Sequence, residues 1–244
     1  LADRLEFIDT NFLARPTLNH TGGLVSAGQT VTLTPAAKAN SRLLYTLNGT
    51  DPRLPGGAIA PGVFSNLGPV TITVTTNVRV FARSWNPTHQ NLTGSRNPPI
   101  SSPWSGPITA SIYTGIPPLR ITEVMYHPSE PPTGSVYVED DFEFIELQNI
   151  GNTPLQLQGA QLSGAIEFTF PALVLASGQH VVVAKNIAAF QSRYGSGTLI
   201  AGTFTNNLPN SSGRIILHGP FGEPIHDFTY SDAWYPATDG AGFS

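Results

Sequence analysis

Glycine and proline interrupt this chain so often that long helices are excluded. Among its 244 residues are 24 glycines and 22 prolines, and most of them lie between short runs of β-branched residues. Glycine admits backbone angles that end regular structure, and proline lacks the N–H that a helix or a central strand needs. The sequence therefore predicts an all-β protein made of short strands and turns.

Alternating apolar and polar residues mark the strands. Val31 and Leu33 follow this pattern, as does the segment Val70–Val74. Alternation places every second side chain on one face, as in a half-buried strand. The pair Asn48-Gly49 tolerates the positive φ of a tight turn, and Asp51-Pro52 and Pro55-Gly56-Gly57 follow it, so this region is predicted to be a turn and a loop.

The first residues follow a different period. In Leu1–Ala14, apolar residues recur every third or fourth position, which predicts one short amphipathic helix. Arg15-Pro16 then ends the helix, because the residue before a proline is biased away from helical angles.

Chain length predicts two domains. A typical domain has about 100–150 residues, so 244 residues suit two cores. Gly115-Ile116-Pro117-Pro118 is a short, stiff joint, since consecutive prolines favour an extended conformation. We therefore expect a helical linker over 1–14, one sandwich over 15–115 and a second over 119–244.

The charge and the cysteine content exclude several partners and chemistries. The net charge is −4 and the only lysines are Lys38 and Lys185, so we expect no nucleic-acid partner. The absence of cysteine excludes disulfides and thiol chemistry. No apolar run approaches the roughly 20 residues of a membrane span. The chain starts at Leu1 without a leader, which predicts a piece of a longer protein whose other domains are partners.

The second half resembles a lamin tail domain. The resemblance rests on the opening Ile121–Tyr126, on Phe144–Asn149, on the turn Leu175–Gln179, and on Asp227 and Trp234 near the end. It implies an immunoglobulin-like sandwich over roughly 119–244. The chain resembles the bacterial exported branch of the family, because it has no heptads for a coiled-coil rod and lacks a basic surface. This resemblance implies a secreted or cell-surface location.

The first half resembles another family. Leu44–Arg53, Trp104–Pro107 and the closing Ile112-Tyr113 are similar to the C-terminal domain of chitobiases and β-hexosaminidases. That resemblance implies a fibronectin-III-like sandwich over about 15–115. Here Asn48 stands where the family usually has aspartate.

The densest group of carboxylates predicts a candidate metal site. Oxygen ligands in a loop suit calcium, and Glu139, Asp140, Asp141 and Glu143 lie close together in sequence. Their spacing matches no EF-hand loop, and the alternative is a solvated acidic loop. Otherwise we expect no cofactor.

The three tryptophans are candidates for contact with carbohydrate. Trp85, Trp104 and Trp234 could stack on the apolar faces of sugars. The alternative is that each large ring closes the end of a sandwich.

No motif indicates an enzyme. The six histidines show no His-Glu-x-x-His arrangement, and no Gly-x-Ser-x-Gly elbow occurs. We therefore expect a non-catalytic structural or interaction module that spaces or docks attached domains at the cell surface or matrix. One alternative is a carbohydrate-binding targeting module of a larger enzyme. Another is a self-assembling surface-layer or filament subunit, and a surface protein or polysaccharide is the partner that these hypotheses require.

Overall fold

The computed structural model describes residues 11–90, 101–235, 238–240 and 242. Within them the chain is built of short strands packed as sandwiches, which confirms the all-β prediction. It divides into two compact units, Leu1–Gly115 and Ile116–Ser244. Most of the helix predicted over Leu1–Ala14 lies outside the described residues.

The described residues contain eighteen strands, numbered here in chain order. Those of the first unit are β1 (Thr17–Leu18), β2 (Gly23–Leu24), β3 (Gln29–Thr34), β4 (Arg42–Thr46), β5 (Phe64–Asn66), β6 (Val70–Val74), β7 (Val78–Trp85) and β8 (Ile108–Tyr113). Those of the second unit are β9 (Leu119–Met125), β10 (Phe144–Asn149), β11 (Leu155–Gln156), β12 (Gln161–Gly164), β13 (Phe168–Thr169), β14 (Val174–Leu175), β15 (His180–Ala184), β16 (Ile200–Thr203), β17 (Ser212–His218) and β18 (Pro224–Ser231).

The first unit packs a three-stranded sheet, β1-β3-β6, with a five-stranded sheet, β2-β8-β7-β4-β5. Val31 and Leu33 of β3 are buried, as the alternating pattern predicted. They share one core with Leu43, Val80 and Ile112 of the other sheet. The alternation in sequence therefore located the inner face of this sandwich.

Asn48-Gly49 begins a turn and a loop, as the sequence predicted. β4 pairs with β5, and residues 47–63 separate the two strands. Asn48 Oδ1 accepts hydrogen bonds from the backbone N–H and the hydroxyl of Thr50, at 3.1 and 2.7 Å. Gly49 has a φ of 80°, and the side chain of Arg79 lies where a Cβ would be. The pair therefore begins a long loop, because the Asn48 side chain closes a turn by itself.

The second unit packs two four-stranded sheets, β16-β15-β10-β9 and β13-β12-β17-β18, and has a small β11-β14 pair. Ile145, Leu147, Leu162, Phe170 and Leu217 lie in its core. β9 is an edge strand of the first sheet and β18 is an edge strand of the second.

One helix, α1 (Ile187–Tyr194), follows β15. Asn186 caps it, because the side-chain Oδ1 accepts hydrogen bonds from the backbone N–H of Ala188 and Ala189. Phe190 packs with Phe144 and Met125 in a small separate cluster. Within the described part of the chain, no helix is both long enough and apolar enough to cross a membrane.

Candidate functional site

The acidic segment forms a short 3-10 turn, Glu139–Phe142, directly before β10. Each carboxylate in or beside this turn contacts a different part of the second unit. Asp140 Oδ2 accepts from Asn207 Nδ2 at 2.6 Å, and Asp141 Oδ1 accepts from Asn186 Nδ2 at 3.2 Å. The turn therefore holds the start of α1 and the loop that follows β16.

The calcium hypothesis gains no support from this arrangement. The carboxylates of Glu139, Asp140, Asp141 and Glu143 diverge toward separate partners. In the described ranges, no group of three or more histidine, aspartate or glutamate side chains is placed to hold a metal ion. The calcium assignment stays a prediction, and the geometry assigns these groups to holding loops.

Glu143 is the most buried of the four, with 1% of its surface exposed. Its Oε2 accepts from the backbone N–H of Leu208 at 3.0 Å, and its Oε1 is buried with no hydrogen-bond partner among the described residues. Burial, and next the repulsion from Asp140, raise the pKa of Glu143 to about 8, although the Leu208 N–H and Lys185 oppose this. At neutral pH the group is therefore mostly a protonated acid.

His127 lies between two carboxylates. Its Nδ1 is 2.5 Å from Asp239 Oδ1 and its Nε2 is 3.2 Å from Glu139 Oε1. Both ring nitrogens are therefore engaged, and neither is free to bind a metal ion. The contact joins the acidic turn to the segment near Asp239. No local pattern could predict it, because the partners are far apart in the chain.

The structure separates the three tryptophans. Trp104 is only 6% exposed and donates its indole N–H to the carbonyl of Gly57 at 2.8 Å, so its face is closed to a sugar. Trp85 is half-buried and pairs through its backbone with Trp104. Both therefore fit the alternative of a ring that closes the end of a sandwich. Trp234 differs, because 56% of its surface is exposed.

Trp234 lies at an apolar groove between the edge strands β9 and β18, which we call the edge groove. It has a volume of about 230 Å³. Residues of both strands and of the segment that follows β18 line it: Ile121, Thr122, Glu123, Val124, Tyr126, Phe228, Tyr230, Ser231, Trp234, Tyr235 and Thr238. Tyr235 is 70% exposed, so two large aromatic side chains stand in solvent at this groove.

The segment Asp232–Tyr235, which we call the aromatic arm, is fixed at both ends. At its start, the Ser231 hydroxyl accepts from the N–H of Ala233 at 3.2 Å and caps the 3-10 turn Asp232–Trp234. At its end, the Thr238 hydroxyl donates to the carbonyl of Tyr235 and contacts the Tyr126 hydroxyl, both at 2.8 Å. The backbone that carries the two exposed rings is therefore held in place, which lowers the entropy lost when the segment binds a partner.

Sequence reasoning missed two features that carried a signal. Tyr235 adjoins Trp234, and two adjacent large aromatics cannot both face the same core. Glu143 stands between Phe142 and Phe144, and apolar neighbours on both sides indicate burial more than solvation. The position of β9 beside β18 had no such signal, because it depends on how the two sheets pack.

The fold and the groove belong to an immunoglobulin-like sandwich, and the comparison with protein families agrees. Residues 114–232 match the family model of the lamin tail domain. This match covers most of the second unit and supports the lamin tail resemblance that its motifs predicted. The assignment of the first unit to the chitobiase type stays a prediction.

Solved structures resemble the chain only weakly. A DUF4876 family protein from Bacteroides thetaiotaomicron aligns at a TM-score of 0.33 and 12% identity, over 75% of this chain and 64% of that one. The alpha-2-macroglobulins of Salmonella (a mutant) and E. coli align at a TM-score of 0.23, with 13% and 14% identity, over 91% of this chain and 16% of theirs. The chain thus spans less than two thirds of the length of each of these proteins. No curated protein matches its sequence.

Proposed function

We propose that this chain is a non-catalytic interaction module of an exported bacterial protein, and that its lamin tail domain docks a partner protein in the edge groove. In this role it spaces or docks the attached domains at the cell surface or matrix. The observation that carries the proposal is the pair of exposed rings, Trp234 and Tyr235, on a hydrogen-bonded segment beside an apolar groove. Tryptophan and tyrosine are enriched among the residues that dominate binding energy at interfaces.

The groove suits an extended segment of the partner. β9 and β18 each pair on one side only within the described residues, so backbone groups of both strands border the groove. An added strand can satisfy such groups while its alternate side chains enter the groove. The apolar lining, with Ile121, Val124 and Phe228, requires apolar side chains at those positions. The proposed occupant is therefore an extended segment with alternating apolar side chains.

Contact with carbohydrate is the second candidate function. The exposed faces of Trp234 and Tyr235 favour it, because aromatic faces stack on sugar rings. Binding of a carbohydrate requires only the aromatic arm, whereas docking of an extended peptide also requires the edges of β9 and β18. The two candidates therefore predict different ligands.

A peptide selection tests the first candidate. A library of random eight-residue peptides displayed on phage is sorted against the purified chain, and the enriched peptides are synthesised and titrated by calorimetry. We expect enrichment of peptides in which apolar residues alternate with polar ones. Trp234→Ala combined with Tyr235→Ala should weaken binding by about 30-fold or more, the loss typical of two central aromatic contacts.

The matched control is Phe64→Ala combined with Leu67→Ala, which removes two exposed apolar side chains from the first unit. This control should leave the affinity unchanged. No enrichment, or an equal loss in both double variants, would overturn docking in the groove. Two other outcomes would point to a different ligand. If the chain co-sediments with chitin, cellulose or peptidoglycan, and Trp234→Ala with Tyr235→Ala abolishes this, the carbohydrate candidate is favoured. If light scattering shows concentration-dependent association that the same double variant abolishes, the occupant is a second copy of the chain.

A further inference from the structure

The first unit has an opening of its own between the edges of its two sheets, which we call the donor slot. Its volume is about 500 Å³. The lining residues come from the chain around β1 and from the start of β8: Arg15, Pro16, Thr17, Leu18, His20, Thr21, Pro107, Ile108, Thr109 and Ala110. No aspartate or glutamate is among these described residues, although the chain as a whole carries a net charge of −4.

Two side chains of the slot, Arg15 and His20, can donate hydrogen bonds to a ligand. Arg15 is exposed and forms no hydrogen bond or ion pair with the described residues. His20 Nδ1 accepts from the backbone N–H of Gly22 at 3.1 Å, which places the proton of the neutral ring on Nε2. The slot therefore presents a guanidinium and an imidazole N–H.

The backbone of β8 adds a further donor. β2 pairs with β8 only at Ile112 and Tyr113, so the start of β8 has an uncovered edge. The carbonyl of Tyr113 points away from β7, since it accepts from the N–H of Val25 on the β2 side at 2.9 Å. Backbone direction alternates along an antiparallel strand, so the N–H and C=O of Thr109 also point away from β7, toward the slot.

We propose that the donor slot binds an acidic sugar, a uronic acid unit of a carboxylated polysaccharide. The planar guanidinium of Arg15 pairs with the carboxylate, which it can bind through two parallel hydrogen bonds. His20 Nε2, the Thr109 backbone and the hydroxyls of Thr17 and Thr21 bind the ring hydroxyls. The donor slot lies in the first unit and the edge groove in the second, and the two sites bind different ligands. The proposal for the slot is therefore independent of the proposed function.

The lining distinguishes a sugar from other anions. One guanidinium matches the single charge of a uronate, whereas phosphate sites usually gather several cations or a nest of backbone N–H groups. Hydroxyl side chains that both donate and accept suit sugar hydroxyls, which do the same. The volume lies within the range of about 300–1,000 Å³ that small-ligand sites occupy.

Calorimetric titration of the full chain tests the proposal. The probe is a short oligogalacturonate, and its methyl ester is the neutral probe of the same ring structure. We expect saturable binding of the acid and none of the ester. Arg15→Met, which keeps the aliphatic stem and removes the charge, should weaken binding by about tenfold or more.

The matched control is Arg42→Met, because Arg42 is another exposed arginine of the first unit without a partner among the described residues. It should leave the affinity unchanged. The proposal is overturned by an absence of saturable binding, by equal binding of the ester, or by an equal loss in both arginine variants. Tighter binding of an oligoglutamate peptide would also overturn it, and would assign the slot to an extended acidic peptide.

Discussion

Each unit holds a carboxylate outside its strands, Asp51 in the first and Glu143 in the second, and the two groups have opposite properties. In the first unit, Asp51 accepts two hydrogen bonds from the guanidinium of Arg83, at 2.7 and 2.6 Å, and this pairing lowers the pKa of Asp51. In the second unit, Glu143 is buried without a cation at either oxygen, and burial raises its pKa to about 8. One acid is therefore held ionised and the other is held neutral.

The difference teaches that the partner, and not the acidity of the local sequence, sets the state of a carboxylate. Asp51 follows a polar turn and Glu143 ends an acidic run, so sequence alone would give Glu143 the more solvated position. The two units should accordingly lose stability at opposite ends of the pH scale. Hydrogen exchange resolved by peptide can follow each unit separately.

The largest expected effect is an alkaline loss of stability in the second unit. Glu143 titrates near its ordinary pKa of 4.5 when unfolded and near 8 when folded, so between these values the unfolded chain binds fewer protons. The contribution of Glu143 to stability is then complete below pH 4.5 and falls by up to about 1.4 kcal/mol per pH unit until about pH 8. Glu143→Gln removes the titrating group, so its unfolding free energy should be flat over this range and exceed that of the wild type at pH 9.

Urea unfolding from pH 5 to pH 9 measures this effect, with Glu130→Gln as the control. Glu130 is exposed, so this variant should keep the slope of the wild type. If the stability of the second unit of the wild type is constant from pH 5 to pH 8, the pKa of Glu143 is not raised by burial. The contrast between Glu143 and Asp51 would then be lost.

The second effect is an acid loss of stability in the first unit. Because the folded pKa of Asp51 is lowered, its contribution is complete above the ordinary value of 3.8 and is lost as pH falls through the folded value. Asp51→Asn should cost about 1 kcal/mol at pH 7, a modest figure because Asp51 is one-third exposed and solvent screens the pair. Urea unfolding between pH 2 and pH 7 should show the variant and the wild type converging at the acid end. A constant difference across that range would mean that the pairing charge is not the cause.

The smallest effect is expected at an exposed pair in the second unit. Asp227 accepts two hydrogen bonds from Arg214, at 2.8 and 2.7 Å, in nearly the same geometry as the Asp51 pair. Both side chains are more than half exposed, so solvent offsets the attraction. Asp227→Asn should leave the midpoint of thermal unfolding unchanged at physiological salt. A shift as large as that of Asp51→Asn would show that geometry, and not burial, decides the strength of these pairs.

The fold was largely predictable from sequence, whereas the sites were not. Alternation at Val31 and Leu33 located a strand and its buried face, and the motifs of the second half predicted a lamin tail domain over the residues that match its family model. The turn and the loop at Asn48-Gly49 were also predicted, although the sequence did not show that the Asn48 side chain closes the turn through Thr50. The three tryptophans formed one class in sequence, but only burial distinguished Trp104 from Trp234.

The sequence by itself determined the elements of this protein, because turn residues and the period of the apolar residues act locally. Only the tertiary structure decided where the strand edges meet, and hence the edge groove between β9 and β18 and the donor slot beside β8. It also decided that Glu143 lies buried beneath the loop at Leu208 while Asp51 reaches Arg83. These contacts join residues far apart in the chain, and their energies depend on distance and burial, which no local pattern encodes.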